Sequence, residues 1–381
     1  MRIAHVSDCY LPRLGGIERQ VHDLAVRQRR AGHDVVVVTS AAGGAHAEDD
    51  VQVVAPRRVR GVNPSRVRYD KTLHGRKAVM NGGFDVVHVH ASSFSPLSFL
   101  TAAAASTSGI PTALTVHSLM ANYAPLFRWA DYVTRWSRWP LAWSAVSTVA
   151  ASPVQRIVGS SVPVTVLPNG VDPAAWRIPR RPVDAKRVVV ATVGRLAVRK
   201  RPLALLRMLR EVRFRLPKDI ELEAVLVGDG PLRSKLEGYI RRNRMQGWVS
   251  LTGTASRREI RTLYADTDIY VAPATLESFG IAALEARCAG LPVVAHSGSG
   301  VADFITHGSD GFLTDDDEDM VDSITNLCLS PALRDTIGSC LQAEAAPAEW
   351  GIVLDATMEL YERARQLALP PGRVPAPIQL V

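Results

Sequence analysis

Runs of Val and Ile, separated by helix-length amphipathic segments, set the rhythm of this chain. Arg2–Ser7 and Asp34–Thr39 (DVVVVT) read as strands, and Ile17–Ala31 between them reads as a helix with Val21, Leu24 and Ala25 on one face. Val51–Ala55, Asp85–His90 (DVVHVH), Thr112–Val116, Trp143–Val149 and Val164–Leu167 continue the series. Near-continuous apolar strands of this kind suit a parallel sheet covered on both faces. From Arg187 the rhythm restarts, with strand VVVATVG, a helix over Pro202–Leu216, and strands Leu222–Val227, Val249–Thr252 and Ile269–Ala274. Two successive α/β units, joined near Asp172–Ala185, predict two doubly wound, Rossmann-like domains over 1–173 and 174–349. Ligands in such sheets bind at the carboxyl ends of the strands, so the expected site lies in a cleft between the domains.

At 381 residues the chain is long enough for two full cores. Its 47% hydrophobic and 22% charged content is that of a soluble enzyme. No run of eighteen apolar residues suggests a membrane span, and the opening MRIAHVSDCY reads as a strand rather than a signal peptide. Cys9, Cys288, Cys328 and Cys340 lack metal-ligand spacing and suit reduced thiols in a cytosol. The net charge of +8 is uneven. Residues 1–173 carry 18 Lys and Arg against 11 Asp and Glu, whereas the remainder carries 27 against 26.

One stretch concentrates the chemistry. Ile269–Pro292 (IYVAPATLESFGIAALEARCAGLP) reads as a buried strand, a loop, and a helix from about Phe279 that Gly290 and Pro292 end. Glu277 precedes the helix and Glu285 lies two turns inside it. The backbone amides of Phe279, Gly280 and Ile281, beside Ser278, should be unpaired at the helix start, a ready anion site. Carboxylates beside an anion site are costly unless they hold hydroxyls or cations. The combination suits a ligand carrying both phosphates and hydroxyls, such as a nucleotide sugar. Other motifs fall at strand ends: Gly15-Gly16-Ile17-Glu18, His117 after ALTV, Gly194-Arg195-Leu196 with Lys200, and Val227-Gly228-Asp229-Gly230-Pro231. Gly15-Gly16 permits close backbone approach but lacks the spacing of a dinucleotide fingerprint. Alone, His117 reads as a structural histidine, and Arg195 with Lys200 as a solvated loop. Asp266-Thr267-Asp268 imitates a metal motif but leads straight into a buried strand. His88 and His90 share a strand face without an evident third ligand, and no metal is expected. Asp315–Asp319 (DDDED) reads as N-terminal charge on the following helix.

Glu277, seven residues, then Glu285, together with Gly194-Arg195 and Lys200, resembles the signature of retaining GT-B glycosyltransferases of glycosyltransferase family 4. The resemblance covers roughly residues 1–365 and implies a GT-B fold and transfer of a sugar from a nucleotide diphosphate donor with retained configuration. It implies that Arg195, Lys200 and the 279–281 amides stabilise the leaving diphosphate, that Glu277 holds sugar hydroxyls, Glu285 ribose hydroxyls, and His117 the sugar from the first domain. Gly16, Gly194, Gly228, Ser278 and Gly280 would line the donor. The departing phosphate would take the acceptor proton in a front-side reaction. The donor would be a GDP- or UDP-sugar of mannose or glucose, with no required cofactor and Mg²⁺ at most stimulatory. Trp350 and Tyr361 match a last helix, about 350–366, packed back on the first domain. Asn169-Gly170-Val171-Asp172 matches the interdomain crossing. Two departures stand out: Arg201 where many members have Gly, and Asp303 where a Glu is usual. The Pro-rich 367–381 reads as a flexible tail.

Arg57, Arg58, Arg60, Arg66, Arg68, Lys71, Arg76 and Lys77 crowd one stretch with Asp70 the only acid. Such a block is a solvated face, or a contact for an anionic membrane surface. Leu126–Trp139 places Trp129, Tyr132, Trp136 and Trp139 at helical spacing with arginines between, which suits core burial or an interfacial role equally. Bacterial phosphatidylinositol mannosyltransferases of this family have a similar basic surface. The expected partners are thus a nucleotide sugar, an acceptor alcohol with a lipid or glycolipid among the candidates, and an anionic membrane, but no nucleic acid. The expected location is the cytoplasm, peripheral on the inner face of the plasma membrane. A nucleotide-sugar epimerase of the same fold and an inactive membrane-docked protein are the other readings.

Overall fold

The computed structural model describes residues 1–11, 15–41, 52–54, 64–119, 131, 132, 134–344 and 346–368, with the side chains of 64–71 set aside. The chain divides into two compact units. One is Met1–Gly170 with the chain from Trp350, and the other is Val171–Glu349.

In the first unit, β1 (Arg2–Ser7), α1 (Gly16–Arg30), β2 (Asp34–Thr39), β3 (Gln52–Val54), α2 (Pro64–Met80), β4 (Val86–Ala91), α3 (Pro96–Thr107), β5 (Thr112–Val116), β6 (Ala142–Ala145), α4 (Thr148–Val158) and β7 (Val164–Val166) follow one another. Their sheet is parallel in the order β3-β2-β1-β4-β5-β6-β7. β1, β2, β4 and β5 are buried along nearly their whole length, as their unbroken apolar runs require. The strand predicted over Trp143–Val149 ends early, at Ala145. Ser147 turns extended and its side chain accepts from the Ala150 amide at 3.1 Å, so Thr148 starts a helix instead. Asp8 caps α3 with two carboxylate bonds, to the amides of Leu97 (3.1 Å) and Ser98 (3.0 Å).

The second unit runs α5 (Pro173–Trp176), β8 (Arg187–Val193), α6 (Pro202–Arg215), β9 (Glu221–Val227), α7 (Arg233–Arg242), β10 (Val249–Gly253), α8 (Arg257–Ala265), β11 (Ile269–Ala272), α9 (Ile281–Cys288), β12 (Val293–His296), β13 (Gly311–Thr314), α10 (Asp317–Leu329) and α11 (Pro331–Ala343). Its parallel sheet has the order β10-β9-β8-β11-β12-β13. Val188, Val190, Leu205, Leu209, Leu226, Ile269 and Val271 fill one core with Ile324 and Leu327 of α10. Asp316 caps α10 by accepting from the Asp319 amide, so the acidic run sits at a helix N-terminus. α12 (Trp350–Leu367) returns to the first unit, against β5 and β6.

Asp266 and Asp268 are spent on arginines. Asp266 pairs with Arg187 and Arg181 at 3.0 Å each. Asp268 is buried, pairs with Arg181, and accepts from the Val189 amide at 2.8 Å. The fully buried Arg334 brings its Nε to 4.0 Å from Asp268, and its other nitrogens cap the carbonyls of Leu327 (2.6 Å), Cys328 (3.0 Å) and Asp184 (2.5 Å). Removing this buried carboxylate leaves the fully buried Arg334 without its counter-charge and Arg181 with Asp266 alone. Asp268→Ala is therefore expected to cost about 3–5 kcal/mol in a urea titration, and a loss under 1 kcal/mol would contradict this account.

Candidate functional site

At the carboxyl ends of β8, β9 and β11 the second unit folds three loops against one another. Gly194 donates to the Val227 carbonyl at 2.9 Å, and Leu196 donates to that of Asp229 at 2.9 Å. Gly228 has φ +135, and a Cβ there would lie 1.9 Å from the Gly194 oxygen. No L side chain fits at that position. Arg195 stands exposed on this loop, and a short 3₁₀ turn, Val198–Lys200, brings Lys200 back toward the sheet.

Pro273 stops β11 after Ala272, two residues short of the predicted strand. The loop that follows carries Glu277, whose carboxylate forms an ion pair with Lys200 and also accepts from the Ser278 amide at 3.1 Å. Gly280 adopts φ +91 as the residue before α9, so the helix starts at Ile281 rather than Phe279. A Cβ on Gly280 would reach 2.6 Å from Val301. The Phe279 ring is buried against Phe304, with centroids 5.4 Å apart. Among the described residues, the amides of Phe279, Gly280 and Ile281 donate to no protein group. The result is a helix N-terminus with unpartnered N–H donors close in sequence to an ammonium–carboxylate pair. The donors and ammonium suit a phosphate, and the carboxylate suits hydroxyls. Glu285 is buried in α9, 3.9 Å from Arg257.

Arg201 occupies the left-handed region at φ +51, the conformation a glycine there would take freely. Its side chain holds it: Nη1 donates to the Pro273 carbonyl (3.1 Å) and meets His296 Nε2 (2.8 Å), while Nη2 donates to Asp317 (2.7 Å). Burial and the adjacent guanidinium lower the His296 pKa, so it accepts as a neutral ring. Asp303 closes a 3₁₀ turn, Gly300–Asp303, whose first residue donates to the Glu277 carbonyl at 2.9 Å.

In the first unit, Gly16 opens α1 behind an extended Gly15. His117 lies one residue past β5, 8% exposed, with its amide donating to Ala91 at 2.8 Å. It is not isolated. His90 Nδ1 meets His117 Nε2 at 3.0 Å, His90 Nε2 meets His5 Nδ1 at 2.9 Å, and His88 lies beside them with its ring centroid 4.2 Å from that of His90. Desolvation pushes His5 and His117 down to about 4 and His88 and His90 well below their ordinary value. His5 supplies the third imidazole that the sequence reading did not find for His88 and His90. Ligand nitrogens of the three lie within 4.8 Å of one another, the spacing of a metal site, yet every ring nitrogen is already hydrogen-bonded. The strand register carried the signal, because β1 pairs with β4 so that His5 is opposite His88. The basic block is described in side-chain detail only at Arg76 and Lys77, and its residues 57–63 lie outside the described residues. Of the aromatic stretch, residues 126–130 and 133 also lie outside them. Trp136 is buried edge-on against Trp143, and Tyr132 is 85% exposed.

Comparison with known proteins matches this geometry to a class. Residues 14–175 match the family described as Glycosyltransferase Family 4, and residues 177–340 match Glycosyl transferases group 1. Each half of the chain thus matches a glycosyltransferase family, and the fold is that of the GT-B glycosyltransferases. It is 26% identical over 351 residues to the sulfoquinovosyl transferase SQD2 of Arabidopsis thaliana, covering 84% of this chain and 65% of that protein. It is 27% identical over 322 residues to a component of the human phosphatidylinositol N-acetylglucosaminyltransferase, covering 80% and 63%. A D-inositol 3-phosphate glycosyltransferase of Corynebacterium jeikeium is 30% identical over 225 residues, covering 57% and 52%. The chain therefore spans somewhat less than two thirds of the length of these relatives. In fold it is similar to Anabaena HepE bound to UDP and glucose, with TM-score 0.76, 20% identity, and coverage of 95% and 99%.

Proposed function

We propose that the chain is a retaining glycosyltransferase that moves a hexose, mannose or glucose, from a GDP- or UDP-sugar to the hydroxyl of a lipid or glycolipid acceptor. The observation that carries this reading is the Lys200–Glu277 pair beside the unpartnered amides of Phe279–Ile281. Phosphate oxygens of the leaving diphosphate bind those amides, Lys200 and Arg195, which hold more strongly as charge develops on the leaving group. Glu277, freed from Lys200, accepts from sugar hydroxyls, Glu285 from ribose hydroxyls, and His117 binds the sugar. The departing phosphate takes the proton of the acceptor hydroxyl, so the new bond forms on the face that the old one leaves. Mg²⁺ would at most stimulate this reaction.

The lipid acceptor is supported by two relatives named for phosphatidylinositol and inositol phosphate. It is also supported by the basic excess between Arg57 and Lys77, which would rest on an anionic bilayer at the cytoplasmic face of the membrane. No helix among the described residues is long and apolar enough to cross a membrane. A thermal-shift screen against UDP- and GDP-sugars tests the donor site. A selective rise of several degrees with one nucleotide is expected at saturation, and no rise with any of them would remove the donor site. The anomeric configuration of the product, read by NMR, then decides retention, and added anionic vesicles test the membrane contact.

A further inference from the structure

Eight buried side chains of the first unit form one continuous chain of hydrogen bonds, and its direction is fixed at one end. Ser144 Oγ lies 3.2 Å from the Leu114 carbonyl, which can only accept, so Ser144 donates there. Ser144 must then accept from Thr115 at 2.7 Å. Thr115, its proton spent, accepts from His88 Nε2 at 2.7 Å. His88 Nδ1 is left as an acceptor, and the Tyr361 hydroxyl donates to it at 3.0 Å. Tyr361 in turn accepts from the Gln28 amide nitrogen at 3.1 Å, which points the Gln28 oxygen at His5 Nε2, 2.7 Å away. His5 Nδ1 accepts from His90 Nε2, and His90 Nδ1 accepts from His117 Nε2. Every link follows from the one before. Reversal would require all of these protons to move together and would take the serine hydroxyl away from the carbonyl.

We propose that this relay locks His117 in the Nε2–H tautomer and presents its Nδ1 to the donor sugar as a hydrogen-bond acceptor. Gln28, His5, His90 and Tyr361, all buried, are then positioning residues that act through His117. Nδ1 has no partner among the described residues and is not among the buried unsatisfied atoms. Donation from Nε2 into a polarised chain strengthens Nδ1 as an acceptor. An imidazole held this way selects a sugar hydroxyl and turns away a phosphate oxygen, which needs a donor. The sugar as ligand rests on the function proposed above, whereas the tautomer does not.

The test is long-range ¹H–¹⁵N NMR of the full chain labelled at histidine, with His117 assigned by loss of its signals in His117→Gln. The expected result at pH 7 is a pyridine-type Nδ1 and a protonated Nε2. Tyr361→Phe and Ser144→Ala, both conservative in volume, cut the relay or free its end. Either is expected to shift both His117 nitrogens toward averaged values, and to lower kcat/KM for the nucleotide sugar about three- to ten-fold. A protonated Nδ1 in the unsubstituted protein would overturn the proposal, as would unchanged His117 shifts in both variants. The NMR needs no substrate. If no nucleotide sugar is turned over while the shifts behave as expected, the function falls and the relay stands.

Discussion

Replacing Lys200 with alanine is expected to lower sugar transfer by roughly 10²–10³-fold while leaving the fold in place. In the unliganded protein the ammonium is neutralised by Glu277, with 30% and 13% of the two side chains exposed. A partly exposed pair contributes at most about 1 kcal/mol to stability, so its loss should scarcely move the denaturation midpoint. A diphosphate changes the balance. Under the proposed function it would compete with Glu277 for the ammonium, and that contact would tighten as the sugar–oxygen bond breaks and charge moves onto phosphate. The defect should therefore fall on kcat more than on KM. Glu277→Ala should be equally damaging for a different reason, since it would remove the acceptor proposed for sugar hydroxyls. Transfer near the unsubstituted rate in either variant would sink the assignment of this loop.

Acid should unfold the first unit. His5 and His117 are held neutral by burial, with pKa values lowered from 6.5 to about 4, and His88 and His90 shift in the same direction. The unfolded chain takes up these protons near pH 6.5 and the native state does not. The unfolded state thus binds more protons throughout that window, and stability falls as pH drops. At about 1.4 kcal/mol per pKa unit, His5 and His117 would each remove roughly 3 kcal/mol by pH 4. That is a large share of the 5–15 kcal/mol typical of a domain. Urea midpoints measured from pH 7.5 to 4.5 should decline steadily below about 6.5. A flat profile down to pH 5 would show that the four rings take up protons without unfolding.

The parts of this fold that could be read from sequence were those in which one local pattern decides the outcome. DVVVVT can only be a doubly covered strand, and Gly228 follows a strand where the backbone must turn sharply against Gly194. The loop from Glu277 to Ile281 was legible because an acid, a glycine and a helix start lie within five residues. Trp143–Val149 misled because its apolar run crosses a serine cap, and one side-chain bond to the Ala150 amide outweighed strand propensity. The histidine relay was hidden for a different reason. Its members come from α1, β1, β4, β5, β6 and α12, and no local window contains Gln28 together with Tyr361. In sequence Arg201 is only a departure from a glycine, and the three contacts that make an arginine tolerable there depend on Pro273, His296 and Asp317.

The return of α12 to the first unit bears on the order in which the protein is made. Val171–Glu349 is contiguous and can close its core as soon as it has left the ribosome. The older segment must wait. Until Trp350 emerges, Gly170 has no indole over it, although a Cβ there would lie 2.4 Å from that ring in the finished protein. Until Tyr361 emerges, Gln28 and His88 lack the hydroxyl that joins them. The half synthesised first is therefore the half completed last.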